Sequence, residues 1–191
     1  MKIGVVSDTH GCLDNWNKIF SKYFYDVDLI IHAGDVLYHG PRNTIPSEYN
    51  PKELAEVLNK INIPMLIACG NCDAEVDTMV LDIPLQSPYI NAYINGLTII
   101  ATHGHNLNNV SRLFQAKSLN ADIFITGHTH IPELTRKDNI IFLNPGAPGM
   151  SKTENKHGTI ALITDTSIEV IDIVTDQKIL SKSISLKKEN K

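Results

Sequence analysis

Three cysteines in 191 residues are too few, and odd in number, for a disulfide framework. No apolar run approaches the ~18 residues that a membrane-spanning helix requires. The first apolar stretch is also too short for a secretory signal and has no cleavage site. Basic residues are not in excess: 17 Lys and Arg against 21 Asp and Glu leave a net charge of −4. With no basic stripe, bulk nucleic-acid binding through phosphate neutralisation is not suggested. Repeats, low-complexity tracts and linkers are also missing. These absences predict a soluble, cytoplasmic chain with no membrane partner. What the chain does have is a core and histidine. Its 42% hydrophobic content suffices for one domain, set at residues 1–186, with Lys187 to Lys191 as a charged tail. Eight histidines stand against a single tryptophan, and their positions carry the argument.

Lys2 to Ser7 reads as a short buried strand running into Asp8-Thr9-His10-Gly11. In extended backbone, residues i and i+2 point the same way, so Asp8 and His10 are expected to aim together beyond the strand's carboxyl end. The plainer alternative is that Asp8 caps the following helix, predicted over Leu13 to Tyr25, and His10 is a loop residue. Asp28 to His32 is a second buried strand, running into Ala33-Gly34-Asp35. A long polar segment, Val36 to Asn50, precedes a helix with Pro51 at its first position and apolar residues on one face up to Ile61. Pro64 to Ala68 is a third strand, ending in Cys69-Gly70-Asn71-Cys72-Asp73. Ala74 to Leu81 reads as one or two helical turns. Strand, polar loop and helix in repetition predict parallel α/β architecture.

The pattern then changes. Asn95-Gly96 between Tyr89–Ile94 and Leu97–Thr102 predicts a hairpin. Its second arm ends in His103-Gly104-His105. Val110 to Leu119 reads as a helix, and Asp122 to Thr126 as a strand ending in Gly127-His128-Thr129-His130. Five further strands follow: Glu133–Arg136, Ile140–Leu143, Thr159–Thr164, Ile168–Val174 and Lys178–Ser185. One domain with two sheets is the simplest account.

Five apolar strands thus end in polar clusters, at Asp8/His10, Asp35, Asn71, His103 and His128/His130, with successive gaps of 27, 36, 32 and 25 residues between the leading members. Each gap is about one strand plus its connection. Convergence of five strand ends on one edge would assemble seven oxygen and nitrogen donors. Seven exceed the needs of one tetrahedral zinc and suit two metals, arranged for displacement at phosphorus. Two divalent ions against Asp8, Asp35 and a hydroxide leave a net positive site suited to a phosphate ester. The absence of thiolate donors favours Mn²⁺, with Fe, Ni²⁺ or Zn²⁺ also compatible.

These residues resemble the calcineurin-like metallophosphoesterases, whose pattern is D-x-H, G-D, G-N-H-D/E, a histidine after a strand, and G-H-x-H. The chain has Asp8-Thr9-His10, Gly34-Asp35, Gly70-Asn71-Cys72-Asp73, His103-Gly104-His105 and Gly127-His128-Thr129-His130 in that order. The segment from Gly34 to Asn43 is similar to the small bacterial YfcE-type phosphodiesterases. The resemblance implies a two-sheet β-sandwich flanked by helices, an αββα arrangement of four layers. It implies that Asp8, His10 and His130 hold one metal, that Asn71, His103 and His128 hold the other, and that Asp35 bridges them. It also implies attack on phosphorus by a metal-bridging hydroxide, with Asp35, Asn71, His103 and His105 as the catalytic group.

Cys72 departs from the pattern, standing where many members carry a histidine thought to protonate the leaving oxygen. An ordinary thiol is a poor substitute acid. Cys69 and Cys72 also form C-x-x-C, but the redox reading competes with Asn71's place in the metal pattern. Cys12 and His32 read as core residues, His157 as surface, and Asp73 as a residue orienting a ligand or loop. His39, Arg42 and Asn43, with Cys72, are the candidate substrate contacts; for Arg42 the alternative is an acidic partner within the loop. The expected function is a metal-dependent phosphodiesterase acting on a small phosphodiester. A phosphomonoesterase and a non-enzymatic protein-binding scaffold of the same fold are the alternatives. The β-rich C-terminal third is a candidate surface for a homo-oligomer.

Overall fold

The computed structural model describes residues 1–46 and 48–184; the expected tail from Lys187 lies outside them. The chain alternates first. Strand β1 (Lys2–Val6) leads to helix α1 (Leu13–Ile19), which continues through a π-helical turn at Phe20–Phe24. Then come β2 (Leu29–His32), α2 (Pro51–Asn59), β3 (Met65–Ala68), a 3₁₀ turn at Glu75–Met79 and a two-residue strand β4 (Leu85–Gln86). The second half runs through β5 (Ile90–Ile94), β6 (Leu97–Ala101), α3 (Asn109–Ser118) and β7 (Ile123–Ile125). It ends with β8 (Glu133–Lys137), β9 (Ile140–Asn144), β10 (Thr159–Thr164), β11 (Ser167–Asp172) and β12 (Lys178–Ser183).

Two sheets form. One has the order β12-β11-β10-β1-β2-β3-β4, and the other β5-β6-β7-β9-β8. Strands β1 to β4 are mutually parallel, as are β6, β7 and β9. Antiparallel strands occupy the flanks. The parallel strands are nearly all apolar because both of their faces are covered. Ile3, Val5, Ile31 and Ala33 face Ile99, Ala101, Ile123 and Ile125 between the sheets. On the outer side of the larger sheet, Val6, Ile30 and Ile67 pack under Trp16, Ile19, Phe24, Leu54 and Leu58. Ile100, Phe124 and Phe142 pack under Ala116 of α3. This is the expected four-layer sandwich.

Gly4 shows how closely the layers sit: a Cβ there would stand 2.8 Å from the Phe24 ring. Asn50 caps α2, its side chain accepting from the Glu53 amide, and Pro51 follows at the first helical position where no amide is needed. Among the described residues, no helix is long and apolar enough to cross a membrane. Strand β4, absent from the sequence reading, is too short to leave a periodic signal. Its pairing with β3 adds the sheet's last parallel neighbour.

Candidate metal centre

The carboxyl ends of β1, β2 and β3 in one sheet meet those of β6 and β7 in the other. The convergence does not come from extended backbone, as expected for Asp8 and His10. Asp8 (φ +56°), His10 (φ +44°), Asp35 (φ +58°), His128 (φ +67°) and His130 (φ +58°) all adopt left-handed conformations. Each such residue costs about 1–3 kcal/mol, and such strain persists only where surrounding contacts enforce it. Here the abrupt turns after β1, β2 and β7 swing these side chains into the space between the sheet ends. Nothing in residue type alone reveals this.

Three imidazoles are held in one way. His10 donates Nδ1–H to the Tyr38 carbonyl at 2.6 Å, His103 to that of Ala33 at 2.8 Å, and His130 to that of Met150 at 2.7 Å. A neutral ring that donates from Nδ1 presents a lone pair at Nε2. All three Nε2 atoms point inward. Those of His10 and His130 are 3.3 Å apart. His103 Nε2 lies 3.2 Å from Asp35 Oδ2 and 3.1 Å from Asn71 Oδ1. The Asn71 amide group donates to Cys72 Sγ at 3.3 Å, which turns its oxygen inward.

Asp8 is fully buried. Its Oδ2 accepts from Ser7 Oγ at 2.6 Å and from the His128 amide at 2.9 Å. Its Oδ1 is buried without a hydrogen-bond partner, 3.2 Å from His130 Nε2 and 3.7 Å from His10 Nε2. Burial alone would raise this carboxyl, but His10, His130 and His103 outweigh it and hold it well below the usual carboxylate range. Asp35 Oδ1 accepts the Cys72 amide at 2.8 Å, and Oδ2 faces His10 at 3.7 Å as well as His103.

Such an assembly of lone pairs is repulsive without a cation or added protons among them. It fits divalent metal. Asp8, His10 and His130 bring donors within 4.8 Å of one another, and so do Asp8, Asp35 and His103. A third cluster joins His10, Asp35 and Cys72. The three carbonyls behind the histidines fix tautomer and ring direction, as outer partners of metal-bound imidazoles do. They belong to Tyr38, Ala33 and Met150, and backbone groups carry no signature in residue type. The His128 ring joins none of these clusters; it is half-buried at the cleft, 5.2 Å between centroids from His103.

Asp73 acts on the loops. Its Oδ2 accepts from the amides of Asp35 (2.9 Å) and Gly70 (2.7 Å), and its Oδ1 from that of Val36 (2.7 Å). It ties the Asp35 turn to the Asn71 turn, the orienting role expected of it. His32 is a buried core residue. Its Nδ1 accepts from the Gly34 amide at 3.1 Å and its Nε2 lies 2.9 Å from Thr9 Oγ1. Burial, partly offset by Asp8, lowers it to about 4, so it stays neutral. His157 is half-buried and bonded to Asp172 at 2.7 Å.

A cleft of about 770 Å³ opens over the donors. Arg42, Asn43 and Cys72 line it. Arg42 has no acidic partner among the described residues, which removes the loop-pair alternative. Asn43 donates from Nδ2 to the His39 carbonyl at 2.8 Å, which leaves its second N–H and its Oδ1 at the cleft. His39 does not line the cleft. Gly40 turns the chain with φ +83°, and the His39 ring sits edge-on to Tyr38 and Tyr49 instead. His105 is exposed beside the centre, bonded to Asn106 at 2.9 Å, with its ring centroid 5.6 Å from that of His103. Lys152, which no motif marks, also lines the cleft. It is carried there by the backbone, its amide donating to the His130 carbonyl at 3.1 Å.

A model of the calcineurin-like phosphoesterase superfamily domain matches residues 1–167. The chain is 32% identical over 187 residues to phosphodiesterase YfcE of Escherichia coli K12, covering 95% of this chain and 97% of that one. The solved structure of the E. coli phosphoesterase YfcE superimposes with a TM-score of 0.84 at 28% identity, over 97% of this chain and all of the other. Vacuolar protein sorting 29 from Cryptosporidium parvum shares the fold, with a TM-score of 0.70 at 18% identity over 96% of this chain and 97% of that one. Fold, ordered motifs and family match agree, and this chain belongs to the calcineurin-like phosphoesterase superfamily.

Proposed function

We propose that the chain is a metal-dependent phosphodiesterase that hydrolyses a small, singly charged phosphodiester at a centre for two divalent ions, Mn²⁺ foremost. The observation that carries this reading is the unpartnered, buried Oδ1 of Asp8 facing the lone pairs of His10 and His130. Asp8, His10 and His130 are the residues proposed for one ion. Asn71 and His103, with His128 turning in from the cleft, are proposed for the other, and Asp35 is proposed to serve both. Bound there, two divalent ions supply Lewis acidity at the phosphoryl oxygens and acidify a water for attack on phosphorus.

The chain's own residues supply the rest. The carbonyls of Tyr38, Ala33 and Met150 keep three Nε2 lone pairs directed inward without rearrangement during turnover. Asp73 holds the Asp35 and Asn71 turns in register. Arg42 and Lys152 line the cleft and are placed to meet the negative charge of the phosphoryl group. That the E. coli relative is a phosphodiesterase supports the diester over the monoester. The inward-directed donors Asp8, His10, Asp35, His103 and His130 are more than a protein-binding scaffold of this fold would need.

The test is hydrolysis of bis(p-nitrophenyl) phosphate by metal-stripped protein after adding Mn²⁺, beside Asp35→Asn. Activity restored by metal is expected, with a loss of about 100-fold or more in the variant. Stoichiometric metal binding without hydrolysis of any diester would overturn the reading.

A further inference from the structure

A second groove of about 550 Å³ adjoins the metal cleft. The two share Tyr38, Cys72 and Ala74 as a common wall. Beyond that wall the lining changes character. Leu37, Tyr49, Val76 and Val80 present apolar surface, and Val76 and Val80 are 61% and 49% exposed. Asp77, the buried carboxylate of the lining, is already engaged, since its Oδ2 accepts the Ala74 amide at 2.8 Å. The interior therefore has little to offer a polar ligand. Lys52 and Glu56 stand where α2 borders the groove.

Exposed apolar surface that shares lining residues with a reaction cleft marks a binding site more often than an accident of packing. The proposed reaction supplies the occupant: a phosphodiester carries two ester groups, and one centred over the donors has an ester group free to extend past the residues shared with the groove. We propose that this groove is a specificity subsite for an aromatic ester group of the substrate, lined by Tyr38, Val76 and Val80, while the phosphoryl group lies over the metal centre. The assignment rests on the phosphodiesterase reading and narrows it to diesters bearing an aromatic ring. Tyr38 links the two halves of the site, for its carbonyl orients His10 and its residue forms the shared wall.

The test compares two unreactive, singly charged diester analogues, monomethyl 2-naphthylphosphonate and monomethyl methylphosphonate, binding to full-length protein loaded with Zn²⁺. Binding is followed by NMR of the valine and alanine methyl groups. The naphthyl analogue is expected to bind about tenfold tighter, shifting the methyl signals of Val76, Val80 and Ala74. Val76→Asp, at an exposed position, is expected to remove that advantage and leave the methyl analogue unaffected. Val80→Ser is a milder second variant expected to act in the same direction. Equal affinity for the two analogues, or tighter naphthyl binding that neither variant weakens, overturns the subsite while leaving the phosphodiesterase reading intact. Failure of both analogues to bind overturns the phosphodiesterase reading itself.

Discussion

His103 Nε2 lies 3.2 Å from Asp35 Oδ2, and both side chains are almost fully buried. Burial works against the imidazolium, yet Asp35 and Asp8 outweigh it and push the metal-free ring from 6.5 up to about 9. The sign follows directly. A folded value above the unfolded one stabilises the metal-free fold fully below about pH 6.5, and that contribution is lost as pH rises through about 9. Metal needs the deprotonated Nε2. Metal affinity is therefore expected to rise across the same window, with proton release on binding. Calorimetric titration of Zn²⁺ into stripped protein, in buffers of different ionisation enthalpy near neutral pH, checks this. A binding enthalpy independent of buffer would show that no proton leaves.

Gly70 sits where the Asn71 turn passes Asp35. A Cβ there would overlap Asp35 Oδ1 and stand 2.5 Å from the Asp35 amide nitrogen. The Asp35 backbone and its buried carboxylate leave little room to yield. Gly70→Ala is expected to cost about 1–3 kcal/mol of stability and to weaken metal binding. Thermal denaturation and metal titration read the two effects separately. An unchanged affinity would show that Asp35 is not held by this contact.

Asp73 gathers three backbone amides with two oxygens. Asp73→Asn keeps the size but sets an NH₂ group against at least one of them. A loss of about 1–3 kcal/mol is expected from the stranded donor. Because Asp73 positions the Asp35 and Asn71 turns without lining up as a metal donor itself, kcat is expected to fall while KM changes little. An altered KM at unchanged kcat would show that it acts on the substrate.

How far the site was legible depended on what each element used to build it. Asp8, Asp35, Asn71 and His103 were visible because each follows a buried apolar strand, and such strands must deliver their polar ends to a shared edge. The left-handed turns that aim Asp8 and His10 were not visible, since Asp and His at φ > 0 look like any other Asp and His. Residue type places His39 and Asn43 at the substrate, whereas the Gly40 turn leaves Asn43 at the cleft and sets the His39 ring against Tyr38 and Tyr49. Lys152 was hidden for the opposite reason. It reaches the cleft through the hydrogen bond that its backbone N–H donates to the His130 carbonyl, a contact no periodicity records.

Cys72 stands in the wall of the cleft, its amide bonded to Asp35 and its thiol near the Asn71 side chain. In the metal-free protein, burial first, and then the charge of Asp35, pushes the thiol up to about 12. A group that weakly acidic gives up its proton poorly to a departing alkoxide. The wild-type rate is therefore expected to fall steeply as the leaving group becomes more basic, across aryl methyl phosphates of graded phenol acidity. Cys72→His places a ring that titrates far nearer neutrality at the same wall. Its slope is expected to flatten, with the gain confined to poor leaving groups and amounting to about tenfold or more. Initial rates at saturating substrate across the series measure both slopes. A wild-type rate nearly independent of leaving-group acidity, with chemistry limiting, would mean that effective proton donation already exists and that Cys72 leaves no deficit to repair.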